Sequence, residues 1–148
     1  MRAVIQRVQR ASVTIDGVET ARIGAGYLIL LGVGAADTQA EAERLWQKIF
    51  ALRIMEDEGG KTNRSIDDVG GDVLVVSQFT LYADCRRGRR PSFTAAGDPA
   101  HANALYEYFV SLARRDVPRV ATGTFAADMK VELVNDGPFT IVLDTDEL

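Results

Sequence analysis

The sequence predicts a single α/β domain over residues 1–148, with mixed, largely antiparallel and barrel-like β-sheets and two main helices packed on one side. A chain of 148 residues, 47% of them hydrophobic, buries one sizeable core but not two. Hairpin signals outnumber the strand–helix–strand units that a parallel sheet needs. Only two segments carry apolar residues at helical spacing over several turns.

The opening of the chain is predicted to form a β-hairpin. Residues 3–9 and 12–15 mix polar and apolar positions with β-branched side chains, and Asp16-Gly17 is a typical hairpin turn before a second strand at residues 20–23. Residues 27–33 are continuously apolar and bounded by glycines, which favours a strand buried on both faces. We expect this strand at the centre of the sheet.

Two amphipathic helices are predicted, each with its own start signal. Thr38 and Glu41 match a capping box, and apolar side chains then recur for about four turns at Ala42, Leu45, Trp46, Ile49 and Phe50. Asp98-Pro99 is an N-cap followed by proline, and the helix that it starts has an apolar face at Ala102, Leu105, Tyr106, Phe109, Leu112 and Ala113. We expect Trp46 in the core and the single histidine, His101, on the solvated surface.

The remaining segments are predicted to be loops and strands. Glycine pairs indicate a loop-rich middle, after which residues 72–81 form a buried strand that runs into polar residues. Strands over residues 129–134 and 139–143 flank a turn at residues 135–138, and residues 144–148 are expected to be a solvated tail. Glycine-rich phosphate loops are not recognisable after any strand, so a nucleotide cofactor is not expected.

Composition excludes several classes of function. One cysteine and one histidine cannot form an internal disulfide or a typical zinc site, which points to a reducing compartment. A signal peptide or membrane-spanning segment is not recognisable, so the expected location is cytoplasmic, without membrane association. The net charge of −4 does not attract a polyanion, and any nucleic-acid contact has to come from a local patch.

A polar run, Ser77-Gln78-Phe79-Thr80, ends the predicted strand and is the first candidate site. Polar side chains at strand ends are often binding groups on a rigid scaffold. They serve equally well to satisfy neighbouring backbone groups, and this alternative stays open. A nucleophile is not identified, because a hydroxyl normally needs an adjacent base.

The turn around Gly137-Pro138 is the second candidate. Proline removes a backbone donor there, and glycine permits unusual dihedral angles. An ordinary hairpin turn is the simpler interpretation, since most X-Pro bonds are trans. If the bond is cis, consecutive carbonyls can point the same way and form a rigid acceptor pair for an ammonium group.

Four arginines within five residues form the third candidate: Arg86, Arg87, Arg89 and Arg90. A run of charge is usually a solvated face. Beside a candidate polar site in an acidic chain, it is better explained by contacts with a phosphate-bearing substrate.

Six short segments, spread in order through almost the whole chain, form a specific combination: Ala3-Val4-Ile5-Gln6-Arg7-Val8, Ala11-Ser12-Val13, Ser77-Gln78-Phe79-Thr80-Leu81, Arg90-Pro91-Ser92-Phe93, Phe125-Ala126-Ala127-Asp128-Met129 and Asn135-Asp136-Gly137-Pro138. In this combination the chain resembles the D-aminoacyl-tRNA deacylases. The resemblance implies a hydrolase that frees D-amino acids from tRNA and acts as a homodimer with its site at the subunit interface.

The resemblance also implies how the substrate's chirality is tested. In this family the glycine-proline bond is cis and reaches into the partner's pocket, where its backbone carbonyls hold the α-amino group of the substrate. An L-residue would drive its side chain into that wall, so Gly137 and Pro138 are expected to act as a filter. Glycine mischarged on other tRNAs has no side chain to exclude and is expected to be cleaved as well.

Further roles follow from the resemblance. Arg7 is expected to brace the proline loop, and Ser77, Gln78 and Phe79 are expected to line the pocket for the terminal adenosine and ester. Phe125 and Met129 are expected to be further pocket or supporting residues. Phe139 departs from the family, which usually has a small β-branched residue after the proline. Its ring either narrows the space for the ester or packs into the dimer interface.

The sequence leaves more than one catalytic mechanism open. Thr80 occupies a position once expected to be a nucleophile, but without a base beside it we prefer a mechanism that is assisted by the substrate's own ribose 2′-hydroxyl, with protein amides stabilising the oxyanion. Metal or organic cofactors are then not required. Two alternatives stay open: a binding module whose arginines hold tRNA ends without hydrolysis, and a hydrolase with Thr80 or Ser77 as its nucleophile.

Overall fold

The computed structural model describes residues 1–148, which form eight β-strands and three α-helices. The predicted loop-rich middle contains a small two-stranded sheet and one short helix. In chain order the elements are β1 (Arg2–Ile15), β2 (Val18–Ile23), β3 (Gly26–Gly32), α1 (Gln39–Ala51), β4 (Met55–Glu56), β5 (Thr62–Arg64), α2 (Ile66–Val69), β6 (Asp72–Ser77), α3 (Pro99–Asp116), β7 (Val120–Thr122) and β8 (Lys130–Asp144), with 3₁₀ turns at Phe79–Tyr82 and Thr145–Glu147.

The first strand, β1, lies in the middle of the main sheet and is paired along both edges. Along one edge β2 and β3 are antiparallel to it, in a register that is unchanged from the Arg2–Gly32 pair to the Val13–Ala21 pair. These strands are therefore two halves of one long strand, and the predicted hairpin is confirmed. Along the other edge β1 pairs antiparallel with β8 over almost its whole length.

Parallel pairings extend the sheet beyond β3. β6 is parallel to β3 and β7 is parallel to β6, so the sheet is mixed and curls into a nearly closed barrel. A Cβ atom at Gly26 would lie 1.8 Å from the carbonyl oxygen of Asp72, so glycine is needed where the parallel pairing begins. The predicted mixed sheet and the central position of β3 are confirmed.

Side chains of β3 alternate between two buried layers. Tyr27, Ile29 and Leu31 belong to a core that includes the apolar faces of α1 and α3, whereas Leu28 belongs to a second cluster contributed by strands alone. The second cluster fills the barrel. Because both helices share the first core, they pack on one side of the sheet as predicted.

Both long helices begin where their start signals predict. Thr38 forms a capping box with Glu41, and the Asp98 side chain accepts a hydrogen bond from the first turn of α3. Trp46 is buried in the core as predicted, and its indole Nε1 donates to Asp116 Oδ2 over 2.8 Å. This hydrogen bond joins α1 to the end of α3. None of the helices is both long and apolar enough to traverse a bilayer.

Three local predictions are wrong. The strand predicted over residues 72–81 ends at Ser77, because the chain beyond it tightens into a 3₁₀ turn. Thr145, predicted to lie in a solvated tail, is buried and accepts a hydrogen bond from the amino group of Met1. His101, predicted to be solvated, has its Nε2 atom buried without a hydrogen-bond partner. The errors at Thr145 and His101 arise because tertiary contacts, which leave no local pattern, decide the burial.

The hairpin turn predicted at residues 135–138 is also wrong. The segments on either side of it belong to one strand, since Leu133 pairs with Ala11 and Ile141 pairs with Ile5 in the same antiparallel ladder. The chain therefore continues in one direction through Gly137 and Pro138 instead of reversing.

Candidate functional site

A cleft of about 760 Å³ opens beyond the carboxyl end of β6. It is bounded by the turn that follows β6, by the start of α3 and by the segment between β7 and β8. Its volume suits a small organic ligand, and most of its lining is hydrophobic. Five of the predicted site residues line it: Ser77, Gln78, Phe79, Phe125 and Met129.

The two candidate hydroxyl groups, those of Ser77 and Thr80, have no base beside them. The amide Nε2 of Gln78 donates to Oγ1 of Thr80, which is exposed and does not line the cleft. Asp98 is the carboxylate that lines the cleft, but it caps α3 and makes no hydrogen bond to Ser77 or Thr80. His101 does not line the cleft. Neither hydroxyl therefore has the partner that would make it a nucleophile.

The rest of the cleft wall includes residues that the sequence did not single out as site residues. Phe93 lines the cleft, and its ring meets that of Phe79 edge to face with the centroids 5.0 Å apart. The only early signal for Phe93 is its place in the Arg90–Phe93 segment. Ala126 also lines the cleft and has a φ of +63°, for which an alanine gives no signal in the sequence.

An arginine loop, residues 84–92, leads directly into Phe93. Asp84 and Ser92 close it with two backbone hydrogen bonds of 2.7 and 2.9 Å. The guanidinium of Arg86 binds the carboxylate of Asp84 with contacts of 2.9 and 2.7 Å, and this lowers the pKa of Asp84 to about 2. The other three arginines, Arg87, Arg89 and Arg90, are exposed and form no ion pair. The loop therefore offers three unpaired positive charges beside the cleft.

A proline loop, residues 136–139, interrupts the pairing of β8 with β1. Thr140 pairs with Gln6 and Asn135 pairs with Val8, so the whole loop lies opposite the single residue Arg7. The Gly137–Pro138 peptide bond is cis. Gly137 has a φ of +143°, and a Cβ there would lie 2.9 Å from the amide nitrogen of Phe139. Any side chain at this position would displace the loop backbone.

The side chain of Arg7 occupies the space beneath the proline loop and is 4% exposed. Its Nε donates to the carbonyl of Asp136 over 2.9 Å, and its Nη1 donates to the carbonyl of Ile54 over 2.8 Å. Nη2 lies 3.3 Å from a carboxylate oxygen of Glu56, and the guanidinium lies 4.8 Å from the ring centroid of Phe139. Arg7 therefore links the proline loop to the β4–β5 segment.

The cleft and the proline loop lie apart within one chain. Arg7 pairs with Tyr27, which pairs with Val73 of β6, whereas the cleft begins three residues further along β6, at Val76. Three residues of strand span about 10 Å. The other residues predicted for the site do not line the cleft: Arg7, Thr80, Arg86, Arg87, Arg89, Arg90, Gly137, Pro138 and Phe139.

Known proteins are similar to this chain over nearly its whole length. A family model described as D-Tyr-tRNA(Tyr) deacylase matches residues 4–144. The D-aminoacyl-tRNA deacylase of Koribacter versatilis is 59% identical over 145 residues, covering 98% of this chain and 97% of that protein. That of Thermotoga petrophila is 54% identical over 148 residues, covering 100% and 99%.

Two solved structures are similar throughout. One, named as a c-Myc DNA unwinding element binding protein, is 41% identical with a TM-score of 0.93, and the match covers 97% of this chain and 98% of that one. The other, described as a probable eukaryotic D-amino acid tRNA deacylase, is 17% identical with a TM-score of 0.84 and covers 96% and 97%. At that identity the second structure supports the fold alone.

Replacement of Arg7 tests whether it stabilises the proline loop. Arg7→Met leaves the carbonyls of Asp136 and Ile54 without their charged donor, so we expect the free energy of unfolding, measured in urea, to fall by about 3 kcal/mol. Arg53→Met is the matched control, because Arg53 is exposed and bonds only to Asn63. Its loss should stay below about 1 kcal/mol. Equal losses in the two variants would contradict the bracing role.

Proposed function

This chain belongs to the D-Tyr-tRNA(Tyr) deacylase family, and we propose that it removes D-amino acids from tRNA through a site shared by two copies of the chain. In this proposal the proline loop of one copy enters the cleft of the other. The observation that carries it is the distance between the two features within one chain, since neither Gly137 nor Pro138 lines the cleft.

Exposed apolar side chains support an association of two copies. Phe79 is 54% exposed at the cleft, and Val142, two residues past Thr140 in β8, is 71% exposed. In the proposed dimer the partner would cover both side chains. A two-fold arrangement would satisfy both clefts at once, since each copy would give a loop and receive one.

Chirality is tested by exclusion in this proposal. The backbone of Gly137 and Pro138 accepts hydrogen bonds from the α-ammonium group of the bound aminoacyl ester and forms a wall beside its α-carbon. A D-residue directs its side chain away from the wall, whereas an L-residue directs it into the wall. Glycine has no side chain that could meet the wall, so glycyl-tRNA is expected to be a substrate.

Hydrolysis is proposed to use the ribose 2′-hydroxyl of the substrate. The Thr80 hydroxyl is paired with an amide donor, and Asp98 is committed to its helix cap. In this step water is the nucleophile, and the 2′-hydroxyl, already held beside the ester, positions it against the carbonyl carbon. The acyl–oxygen bond then breaks, the ribose oxygen takes up a proton from the water, and backbone amides stabilise the oxyanion. Ser77, Gln78 and Phe79 are assigned to the terminal adenosine and ester, with Phe125 and Met129 behind them. The proposal needs no metal or organic cofactor.

The direct test compares matched D-tyrosyl-tRNA, L-tyrosyl-tRNA and glycyl-tRNA with purified protein in the presence of a chelator, following release of free amino acid. We expect rapid loss of the D-ester and the glycyl ester and none of the L-ester. Cleavage of both tyrosyl esters would refute the filter. Binding of tRNA without any cleavage would favour the binding module, with Phe139 as the first residue to examine.

Thr80→Ala separates the mechanisms. We expect the kcat for D-tyrosyl-tRNA to fall by no more than about ten-fold, because Thr80 is not the nucleophile in this proposal. Loss of a true nucleophile would lower kcat by at least about 10⁴-fold. Ser77→Ala is the companion variant, and both are measured by single-turnover release of D-tyrosine. A complete loss of turnover with normal tRNA binding, or a covalent ester trapped on either hydroxyl, would establish the nucleophile mechanism instead.

The arginine loop is proposed to hold the phosphates of the tRNA end. Replacing Arg87, Arg89 and Arg90 together with glutamine should weaken tRNA binding and reduce its salt dependence by about 2 in the slope of log K against log salt, since each single-strand phosphate contact contributes roughly 0.7. Arg86→Gln is the matched control, because its guanidinium is bound to Asp84. Its effect should be smaller than that of any one of the other three.

Two results would contradict the loop's role. One is an unchanged slope in the triple variant, and the other is an equal effect in Arg86→Gln. Duplex DNA added as a competitor in the same titration tests the activity that the name of the 41% identical structure describes. The proposal predicts that duplex DNA competes far more weakly than tRNA.

A further inference from the structure

The side chain of Asn135 closes the neck of the proline loop. Its Oδ1 accepts from the amide of Phe139 over 2.6 Å, and its Nδ2 donates to Oγ1 of Thr140 over 2.9 Å. Because the backbone N–H of Phe139 can only donate, the oxygen of the carboxamide must face it. The orientation of the side-chain amide is therefore fixed by the backbone, and Asn135 joins the residue before the loop to the residues at which β8 resumes.

Little else holds the loop backbone in place. The ladder with β1 is interrupted across residues 136–139, and Pro138 has no amide hydrogen. The carbonyl of Asp136 accepts from Arg7, and the amide of Phe139 donates to Asn135. Two side chains thus replace the strand ladder, one from beneath the loop and one across its neck.

These two hydrogen bonds determine where the loop's peptide groups point. The peptide bonds that precede Gly137 and Phe139 are trans. In a trans peptide unit the carbonyl and the following N–H point in opposite directions. Since the N–H of Phe139 points at Asn135, the carbonyl of Pro138 points away from it, out of the neck of the loop. By the same geometry the N–H of Gly137 points away from Arg7.

We propose that Asn135 is a positioning residue for chiral discrimination, which sets the direction of the Pro138 carbonyl through the amide of Phe139. The inference rests on the proposed function, in which that carbonyl belongs to the filter. Asn135 does not touch the substrate. Without its hydrogen bond the peptide plane between Pro138 and Phe139 can rotate, and the wall that rejects an L-residue loses its fixed shape.

Three variants test this role. Asn135→Ala removes both hydrogen bonds, Asn135→Asp keeps an acceptor for the Phe139 amide, and Thr140→Val removes only the other bond. We expect the ratio of kcat/KM for D-tyrosyl-tRNA to that for L-tyrosyl-tRNA to fall by roughly ten-fold or more in Asn135→Ala, the effect of leaving a donor unpaired. In the other two variants the ratio should stay within about three-fold of wild type, because the hydrogen bond to Phe139 survives.

Hydrogen exchange at the Phe139 amide is the second measurement, and it does not depend on activity. Exchange should accelerate in Asn135→Ala and remain slow in Thr140→Val, with thermal unfolding showing that both variants are folded. An unchanged D/L ratio in a folded Asn135→Ala variant would overturn the inference. This includes the case in which kcat/KM falls equally for both esters, because the ratio is then unchanged, as a merely structural role would predict.

Failure of the proposed function is distinguishable from failure of this inference. If the wild-type protein cleaves both esters alike, the filter itself is refuted, and a positioning role for Asn135 falls with it. If wild type discriminates and Asn135→Ala discriminates equally well, the filter stands and Asn135 has no part in it.

Discussion

A buried guanidinium fills the gap that the proline loop leaves in the ladder between β1 and β8. Arg7 is almost inaccessible to water, so its charge is compensated by the carbonyls of Asp136 and Ile54 and by Glu56. A buried cation without such partners is costly, and unpaired buried carbonyls are costly too. The loop, the β4–β5 segment and Arg7 are therefore mutually dependent. The long antiparallel pairing of β1 with its neighbouring strands on either side of Arg7 keeps these three parts in place relative to one another.

The sheet explains why the proline loop and the cleft lie apart within one chain. Central strands fix Arg7 and the loop at one position along the barrel, while the cleft opens beyond the carboxyl end of β6. The cleft reaches both cores, because Val33 and Ala102 of the first core and Val76 of the second are part of its lining. In the proposed arrangement a second copy brings its proline loop to the cleft, which adds backbone groups to a cleft poor in reactive side chains.

Local signals predicted most of the fold. The capping residues Thr38 and Asp98, the Asp16-Gly17 turn and the apolar run of β3 act through neighbouring residues, so they can be recognised without tertiary contacts. The continuity of β8 could not be predicted in this way. Gly137-Pro138 has the composition of a turn, and only the pairing of both flanking segments with β1 shows that the chain goes straight on. The separation of the cleft from the loop is likewise set by sheet topology, and the positive φ of Ala126 has no signature in an alanine.

Mixing two inactive variants tests most directly whether the site is shared. Gly137→Val disrupts the loop of one chain, and Ala127→Trp fills the cleft of the other, since Ala127 lines it. Unfolded and refolded together in equal amounts, they should recover about one quarter of wild-type D-tyrosyl-tRNA deacylation, because half of the dimers are mixed and each mixed dimer has one intact site. No recovery, with mixed dimers demonstrated by mass spectrometry, would show that loop and cleft act within the same chain.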